Sequence, residues 1–261
     1  MKTIYISGKN GFIGSNLAKN LCGDYNIIGE DFRLNNLSPL ENLKPDIIIH
    51  CAAKVGSDYC EENYKQAFEV NVVGTYNISE IARKLGAYFV YLSTIVVYKF
   101  NPKAFNMISE FSEVDPYTWY GYTKLMGESC CKLNKQSLIL RLGFIYGEPD
   151  QDKYSLVSAL ASGKSVSRVG SYKKDYLYID DLVDAIHKLI DKNYLGMLNI
   201  GSGLSYSANK IGTIFGRKDF IDLEGDYIGS FSITTEKIKN AIDWSPSTNF
   251  WNKINNFRSK T

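Results

Sequence analysis

Tyr120 and Lys124 stand four residues apart in Trp119-Tyr120-Gly121-Tyr122-Thr123-Lys124. On a helix that spacing sets both side chains on one face. A free tyrosine, with a pKa near ~10, is a poor acid-base group at neutral pH. A neighbouring ammonium favours the phenolate and is expected to move Tyr120 toward a working pKa. Thr94, at the end of the apolar run from Tyr88 to Ser93, could supply a hydroxyl to the same reacting oxygen. The chemistry these groups suit is proton transfer at a carbon that bears oxygen. A Tyr-x-x-x-Lys pair alone arises often by chance in a chain with 19 tyrosines, and Tyr122 sits nearby at the wrong spacing. Its weight comes from what precedes it.

What precedes it is Gly8-Lys9-Asn10-Gly11-Phe12-Ile13-Gly14, between a β-rich run, Thr3 to Ser7, and a helical pattern from Asn16 to Leu21. In that location one glycine permits a tight turn, one admits a pyrophosphate to the backbone, and one allows close helix–strand packing. The helix amino terminus beyond offers N–H groups and partial positive charge to phosphate. The spacing is G-x-x-G-x-x-G, so an ordinary strand-to-helix turn is the competing reading. Glu30 and Asp31 follow a second run, Asn26 to Gly29. An acidic residue there would bond the adenosine ribose of a dinucleotide, and Asp31 is preferred. Arg33 could instead meet a 2′-phosphate, so NAD is favoured and NADP stays open.

The elements that must position these groups alternate. Asp46 to His50, Tyr88 to Ser93 and Ser137 to Leu142 read as further strands, and Asn63 to Leu85 and Gly121 to Leu133 as helices between them. Strands separated by helices imply a parallel sheet covered on both faces. The uninterrupted Ile47-Ile48-Ile49 fits a strand buried on both sides. After Gly147 the pattern loosens, although Asp180 to Ile190 still reads as a helix. The expected class is α/β, a Rossmann-type doubly wound parallel sheet with a small, trimmed α/β lobe. Residues 1–145 form the dinucleotide-binding part, with 175–200 returning to it; residues 146–174 and 201–261 form the lobe.

Composition narrows the alternatives. The 261 residues carry 30 Lys+Arg against 28 Asp+Glu, a balance that argues against a nucleic-acid partner. No apolar stretch approaches the roughly 18 residues of a membrane span. The amino-terminal run is too short for a signal peptide, and the cytoplasm is the expected compartment. Five scattered cysteines without C-x-x-C spacing do not make a disulfide framework. With only His50 and His187, metal sites and Ser-His-Asp triads are hard to assemble.

Together these segments resemble the extended short-chain dehydrogenase/reductases, in their nucleotide-sugar epimerase and 4-ketoreductase branch. Gly8-x-x-Gly11-Phe12-Ile13-Gly14 is similar to that family's glycine motif, and Asp46-x-x-x-His50-Cys51-Ala52-Ala53 to its D-x-x-x-H-x-A-A segment. Asn71-Val-Val-Gly74-Thr75 resembles its N-V-x-G-T helix, and Tyr120-Gly-Tyr-Thr-Lys124 its Y-G-x-S/T-K. Leu92-Ser93-Thr94 resembles the strand whose second hydroxyl residue is catalytic, which selects Thr94 over Ser93. Arg141 to Gly147, Lys174 to Asp181, Asn199 to Gly203 and Ala241 to Pro246 extend the likeness along nearly the whole chain. Two departures stand out. Ile95-Val96 after Thr94 lacks the Asp-Glu pair of the family's dehydratases, and the segment around Asp31 is compressed, so that Asp31-Phe32 could match an adenine-contacting pair.

The resemblance implies hydride transfer at a sugar carbon, C4 first among them, with Thr94, Tyr120 and Lys124 catalytic. The cofactor would lie against Gly8, Asn10, Gly11, Phe12, Ile13, Gly14, Asp31, Cys51, Ala52, Ala53 and Asn71, besides Tyr120 and Lys124. Lys54, Tyr146 and Lys174 would join Thr94 and Tyr120 at the nucleotide sugar. A ketoreductase and an epimerase both remain open, with a non-catalytic NAD(P) sensor as the reading from another class. A homodimer through helices such as Asn63 to Leu85 and Gly121 to Leu133 is expected by the same likeness.

Overall fold

Ile47, Ile48 and Ile49 are all buried, as a strand covered on both faces requires. The computed structural model describes residues 1–101, 106–148, 155–164, 172–217 and 230–259. The chain begins β1 (Thr3–Ser7), α1 (Phe12–Leu21), β2 (Asn26–Ile27), α2 (Ser38–Leu43), β3 (Ile47–His50) and α3 (Ser57–Glu62). Then come α4 (Tyr64–Phe68), α5 (Gly74–Leu85) and β4 (Tyr88–Thr94). The central part adds β5 (Asn106–Ile108), α6 (Trp119–Cys131), β6 (Ser137–Leu142), β7 (Phe144–Tyr146) and α7 (Leu156–Ala161). It closes with β8 (Lys173–Tyr178), α8 (Ile179–Asp191), β9 (Gly196–Ile200), β10 (Ser205–Ser207), α9 (Ala208–Ile214), β11 (Phe231–Ile233), α10 (Glu236–Ile242) and α11 (Phe250–Arg258).

Six strands form a parallel central sheet in the order β2-β1-β3-β4-β6-β9. The chain leaves β1 toward β2, then crosses back to lay β3 on the other side of β1. Strand order therefore reverses between β1 and β3. In open α/β sheets, ligands bind beyond the strand carboxyl ends at such a switch point. Gly8 follows β1 there, and Cys51 follows β3.

Two compact units divide the chain. One comprises Met1–Lys99, Glu113–Arg141 and His187–Leu198; the other comprises Phe100–Ser112, Leu142–Ile186 and Asn199–Thr261. This division sends β8 and most of α8 to the second unit, where the sequence reading returned 175–200 to the first. In the first unit Tyr5, Leu40, Ile48, Ile78, Phe89 and Tyr91 form a buried cluster. In the second, β8 pairs with β7 and β10, and β5 pairs with β11. That unit is organised around Asp175, which accepts the backbone N–H of Ser202 (2.6 Å), Gly203 (3.0 Å) and Ile233 (3.1 Å).

Three elements differ from the sequence reading. The helix expected from Asn63 to Leu85 is interrupted by a π-helical turn, Glu69–Val73. The polar bonds of Asn71 at its centre accompany the widened turn. The second strand is two residues long, and the Gly29 carbonyl accepts the Lys9 ammonium. The helix bearing Lys124 starts at Trp119 because Thr118 caps it, its Oγ1 accepting the Gly121 N–H at 3.1 Å. Tyr120 consequently lies in the first helical turn. Among the described residues, no helix is long and apolar enough to cross a membrane.

Candidate active site

The glycine turn does what its location requires. Gly8 has φ +69°, and a Cβ there would lie 2.7 Å from the Ala52 backbone nitrogen. A Cβ on Gly14 would come within 2.3 Å of the Gly8 carbonyl oxygen, so helix α1 approaches the turn as only glycine allows. Gly11 is the N-cap of α1 and brings no capping side chain. The first-turn N–H groups of a helix have no intrahelical acceptor, and at this one no side chain caps them, which suits an anion beside Asn10, Phe12 and Ile13. Asp31 is exposed, and its Oδ1 accepts the Gly8 N–H at 2.9 Å.

On the far side of the switch point, β3 leads into Cys51, Ala52, Ala53 and Lys54. Cys51 donates its N–H to the Ser7 carbonyl at 3.1 Å. Lys54 is clamped through its backbone: its N–H donates to Asn71 Oδ1 (2.7 Å), and its carbonyl accepts Asn71 Nδ2 (2.9 Å). Asn71, fully buried, also donates from Nδ2 to Thr123 Oγ1 at 3.0 Å, and Thr123 donates to the Tyr120 carbonyl at 2.8 Å. One amide thus ties the segment after β3 to the first turn of α6. The Lys54 ammonium lies over the Tyr59 ring.

Thr94 ends β4 and is nearly buried. Its Oγ1 accepts the Val96 N–H at 3.2 Å, which orients the hydroxyl and leaves its proton for another acceptor. Helix α6 is brought up to the same place by a close approach. A Cβ on Gly121 would sit 2.7 Å from the Val96 carbonyl oxygen, so glycine after Tyr120 lets the helix start directly against the turn that follows Thr94. Gly127 repeats the device one level down, where a Cβ would fall 2.2 Å from the Tyr91 hydroxyl.

Electrostatics correct one expectation. Burial, helped by the Cys60 thiol, pushes the Tyr120 phenol above its ordinary value. Desolvation therefore sets the direction, opposite to the lowering expected from Lys124. Lys124 is 3% exposed, and burial brings its ammonium down to about 8. Its Nζ lies 4.1 Å from the centre of the Tyr91 ring, a favourable cation–π placement.

The sequence reading passed over Glu128, which continues the Tyr120–Lys124 face by one more turn. It is fully buried and held by Ser93 and Arg141. The signal was available as a charged residue at the next four-residue step. In the second unit, Tyr146 is buried, its ring 5.4 Å from that of Tyr178 and 5.3 Å from that of Phe250. Lys174 places its ammonium 4.5 Å from the centre of the Phe144 ring. Tyr146, Tyr176, Tyr178, Tyr206 and Phe250 line a cavity of about 400 Å³ in that unit.

Residues 1–198 match the family described as RmlD substrate binding domain, three quarters of the chain. The chain belongs to that family. It is 29% identical over 199 residues to the spore coat polysaccharide biosynthesis protein SpsK of Bacillus subtilis (strain 168), covering 72% of this chain and 70% of that protein. It is also 34% identical over 164 residues to a probable UDP-glucuronate 4-epimerase of Rhizobium meliloti (strain 1021), over 57% of this chain and 47% of that one. Its fold is similar to that of MoeE5 in complex with UDP-glucose and NAD, with TM-score 0.88, 20% identity and coverage of 98% and 97%. The same holds for a dTDP-4-dehydrorhamnose reductase from Bacillus anthracis str. Ames in complex with NADP, with TM-score 0.82, 24% identity and coverage of 100% and 98%. Family membership and fold agree with the resemblance read from the motifs.

Proposed function

We propose that this chain transfers hydride between NAD(P) and C4 of a nucleotide-activated sugar, acting as a 4-ketoreductase, with C4 epimerisation as the second reading. At the coarser level it is a nucleotide-sugar oxidoreductase or epimerase that uses NAD(P). The observation that supports the catalytic assignment is the close approach of Gly121 to the Val96 carbonyl. It sets the helix bearing Tyr120 and Lys124 against the turn after Thr94, at the sheet end where the glycine turn also lies.

The residues present fit the cofactor. Gly8 and Gly14 leave no room for side chains, and α1 lacks a side-chain cap. The proposed holders are Gly8 to Gly14 at the pyrophosphate, Asp31 at the adenosine ribose, Cys51 to Ala53 along the cleft, and Lys124 at the nicotinamide ribose. Asn71, expected among them, is 0% exposed with its amide engaged by Lys54 and Thr123, and holds the segment after β3 in place instead. When bound, nicotinamide supplies or accepts the hydride.

The chain's own groups handle the proton. Tyr120, kept neutral by burial, donates its phenolic proton to the sugar carbonyl oxygen. Thr94, its oxygen already engaged by Val96, donates a hydrogen bond to the same oxygen. Lys124 supplies positive charge near the phenolate that remains. The substrate contacts expected of Lys54, Tyr146 and Lys174 and the homodimer belong to the same proposal, as does the cytoplasmic setting.

The test is nicotinamide absorbance with NADH or NADPH and a panel of nucleotide 4-ketosugars. Stoichiometric loss with one cofactor supports the ketoreductase. Interconversion of unoxidised nucleotide sugars without net loss moves the assignment to the epimerase. Cofactor binding with neither outcome leaves a non-catalytic sensor.

A further inference from the structure

Glu128 repeats the four-residue step of Tyr120 and Lys124 along α6 and is 0% exposed. Its Oε1 accepts from Ser93 Oγ at 2.6 Å and from Arg141 Nε at 2.8 Å. Its Oε2 accepts from Arg141 Nη2 at 2.6 Å. Arg141, on β6 and 3% exposed, lays its guanidinium 4.6 Å from the centre of the Tyr98 ring. Thr94 is bracketed by these attachments. Ser93 precedes it in β4, and Tyr98 ends the short 3-10 turn Ile95–Val97, whose Val96 N–H bonds Thr94 Oγ1.

A buried ion pair is weak support for stability, because desolvating both charges offsets much of their attraction. Apolar residues of similar volume would fill the same space. What the pair adds is direction: a bidentate guanidinium–carboxylate contact fixes both groups in plane and in distance. Here the fixed groups sit on the two strands and the one helix that carry or adjoin the reacting hydroxyls.

We propose that Glu128 is a positioning residue, which locks the Ser93–Thr94 end of β4 to the helix carrying Tyr120 and Lys124 and so holds both hydroxyls to one oxygen. The inference rests on the hydride-transfer reading above. It carries an electrostatic consequence for Lys124. The groups that face this ammonium are Glu128 and Cys131 on α6, His50 at the end of β3 with Cys51 just after it, and Tyr91 on β4. Glu128 is the carboxylate among them and opposes the effect of burial. Without it, the ammonium loses its proton at lower pH.

The experiment uses the full chain with NADH or NADPH and the ketosugar that the wild type turns over. Ser93→Ala removes one bond and leaves the ion pair intact; kcat is expected to fall about tenfold, with cofactor affinity and KM unchanged. Glu128→Gln is expected to lower kcat about a hundredfold, the scale of a misplaced reacting group, and to move the basic limb of the kcat profile down by about one pH unit. A readout independent of turnover is the titration of Lys124 by lysine 13Cε NMR, assigned with Lys124→Arg; it too should move down in Glu128→Gln. A purely structural role predicts lower Tm in both variants, with wild-type kcat per folded molecule and an unshifted Lys124, and that result overturns the proposal. If Glu128→Gln does not fold, Ser93→Ala decides, and wild-type kcat there has the same meaning. A wild-type chain that binds cofactor but turns over no ketosugar removes the hydride-transfer reading and this role with it. An active wild type with unaltered variants removes this role alone.

Discussion

Ser7 and His50 are cross-strand partners at the carboxyl ends of β1 and β3, and the serine Oγ lies 2.5 Å from His50 Nδ1. The surrounding bonds fix the histidine tautomer. Thr75 donates its hydroxyl proton to the Asn71 carbonyl at 2.7 Å, so it can only accept from His50 Nε2, 3.0 Å away. Nε2 therefore carries the proton, and Nδ1 accepts from Ser7. The Ser7 oxygen accepts in turn from the Ala52 N–H at 3.4 Å, beside the glycine turn. A second proton on the ring would reverse the Ser7 bond and bury an uncompensated charge between the two strands at the switch point.

Acid stability should report this neutral ring. Burial, with the Lys124 charge second, lowers the His50 pKa to about 3, against 6.5 for a free imidazole. The unfolded chain binds the proton first, so the stabilisation is complete above pH 6.5 and is lost as pH falls toward 3. The expected contribution to the slope is about 1.4 kcal/mol per pH unit within that window. Urea midpoints for wild type and His50→Gln, measured from pH 7 to pH 4, isolate it from the carboxylates. Parallel curves for the two proteins would show that His50 titrates normally.

Tyr120→Phe separates chemistry from binding. The phenol donates the proton but supports no fold contact through its hydroxyl in the bonds described above; only its carbonyl is engaged, by Thr123. Cofactor affinity and Tm are expected to stay within experimental error of wild type. Turnover should fall by about 10²–10⁴, the usual range for a lost acid–base group. Retained turnover would transfer the proton role to another residue.

Much of the fold was legible because its signals are local. The apolar run at Ile47–Ile49 and the glycines after β1 each act over a few residues, and the parallel sheet followed from the alternation of strands and helices. The π-helical turn at Glu69–Val73 was not, because Asn71 finds its partners at Lys54 and Thr123, far away in sequence. The direction of the Tyr120 shift failed for a related reason. Helical spacing places an ammonium nearby, but desolvation depends on everything packed around the ring. Glu128 offered only its four-residue step after Lys124: a lone glutamate reads as surface until Arg141 and Ser93 close on it.

In the second unit Asp175 gathers separate strands onto one carboxylate. Besides three backbone N–H groups it accepts from Ser202 Oγ at 2.9 Å and Ser232 Oγ at 3.3 Å, and it is 0% exposed. Asp175→Ala would leave these donors buried and unpaired, each worth roughly 1–3 kcal/mol. Loss of at least about 3 kcal/mol is expected, seen as a lower urea midpoint. Asp175→Asn keeps one acceptor oxygen and should lie between. A variant as stable as wild type would mean that water or neighbouring groups take over the donors.

Asp31 governs the choice of cofactor if its carboxylate meets the adenosine ribose, and one substitution can test the charge without the geometry. Its Oδ1 already accepts the Gly8 N–H, so Asp31→Ala would disturb the glycine turn and weaken both cofactors together. Asp31→Asn preserves an acceptor oxygen there and removes only the negative charge. A carboxylate at this position binds ribose hydroxyls and repels a 2′-phosphate, whereas Arg33 nearby attracts one. The ratio of NADPH to NADH affinity in Asp31→Asn is therefore expected to rise about tenfold, close to 1.4 kcal/mol. Calorimetric titration of both cofactors into wild type and variant measures it. An unchanged ratio would place Asp31 away from the ribose and return the site to the adenine-contacting alternative.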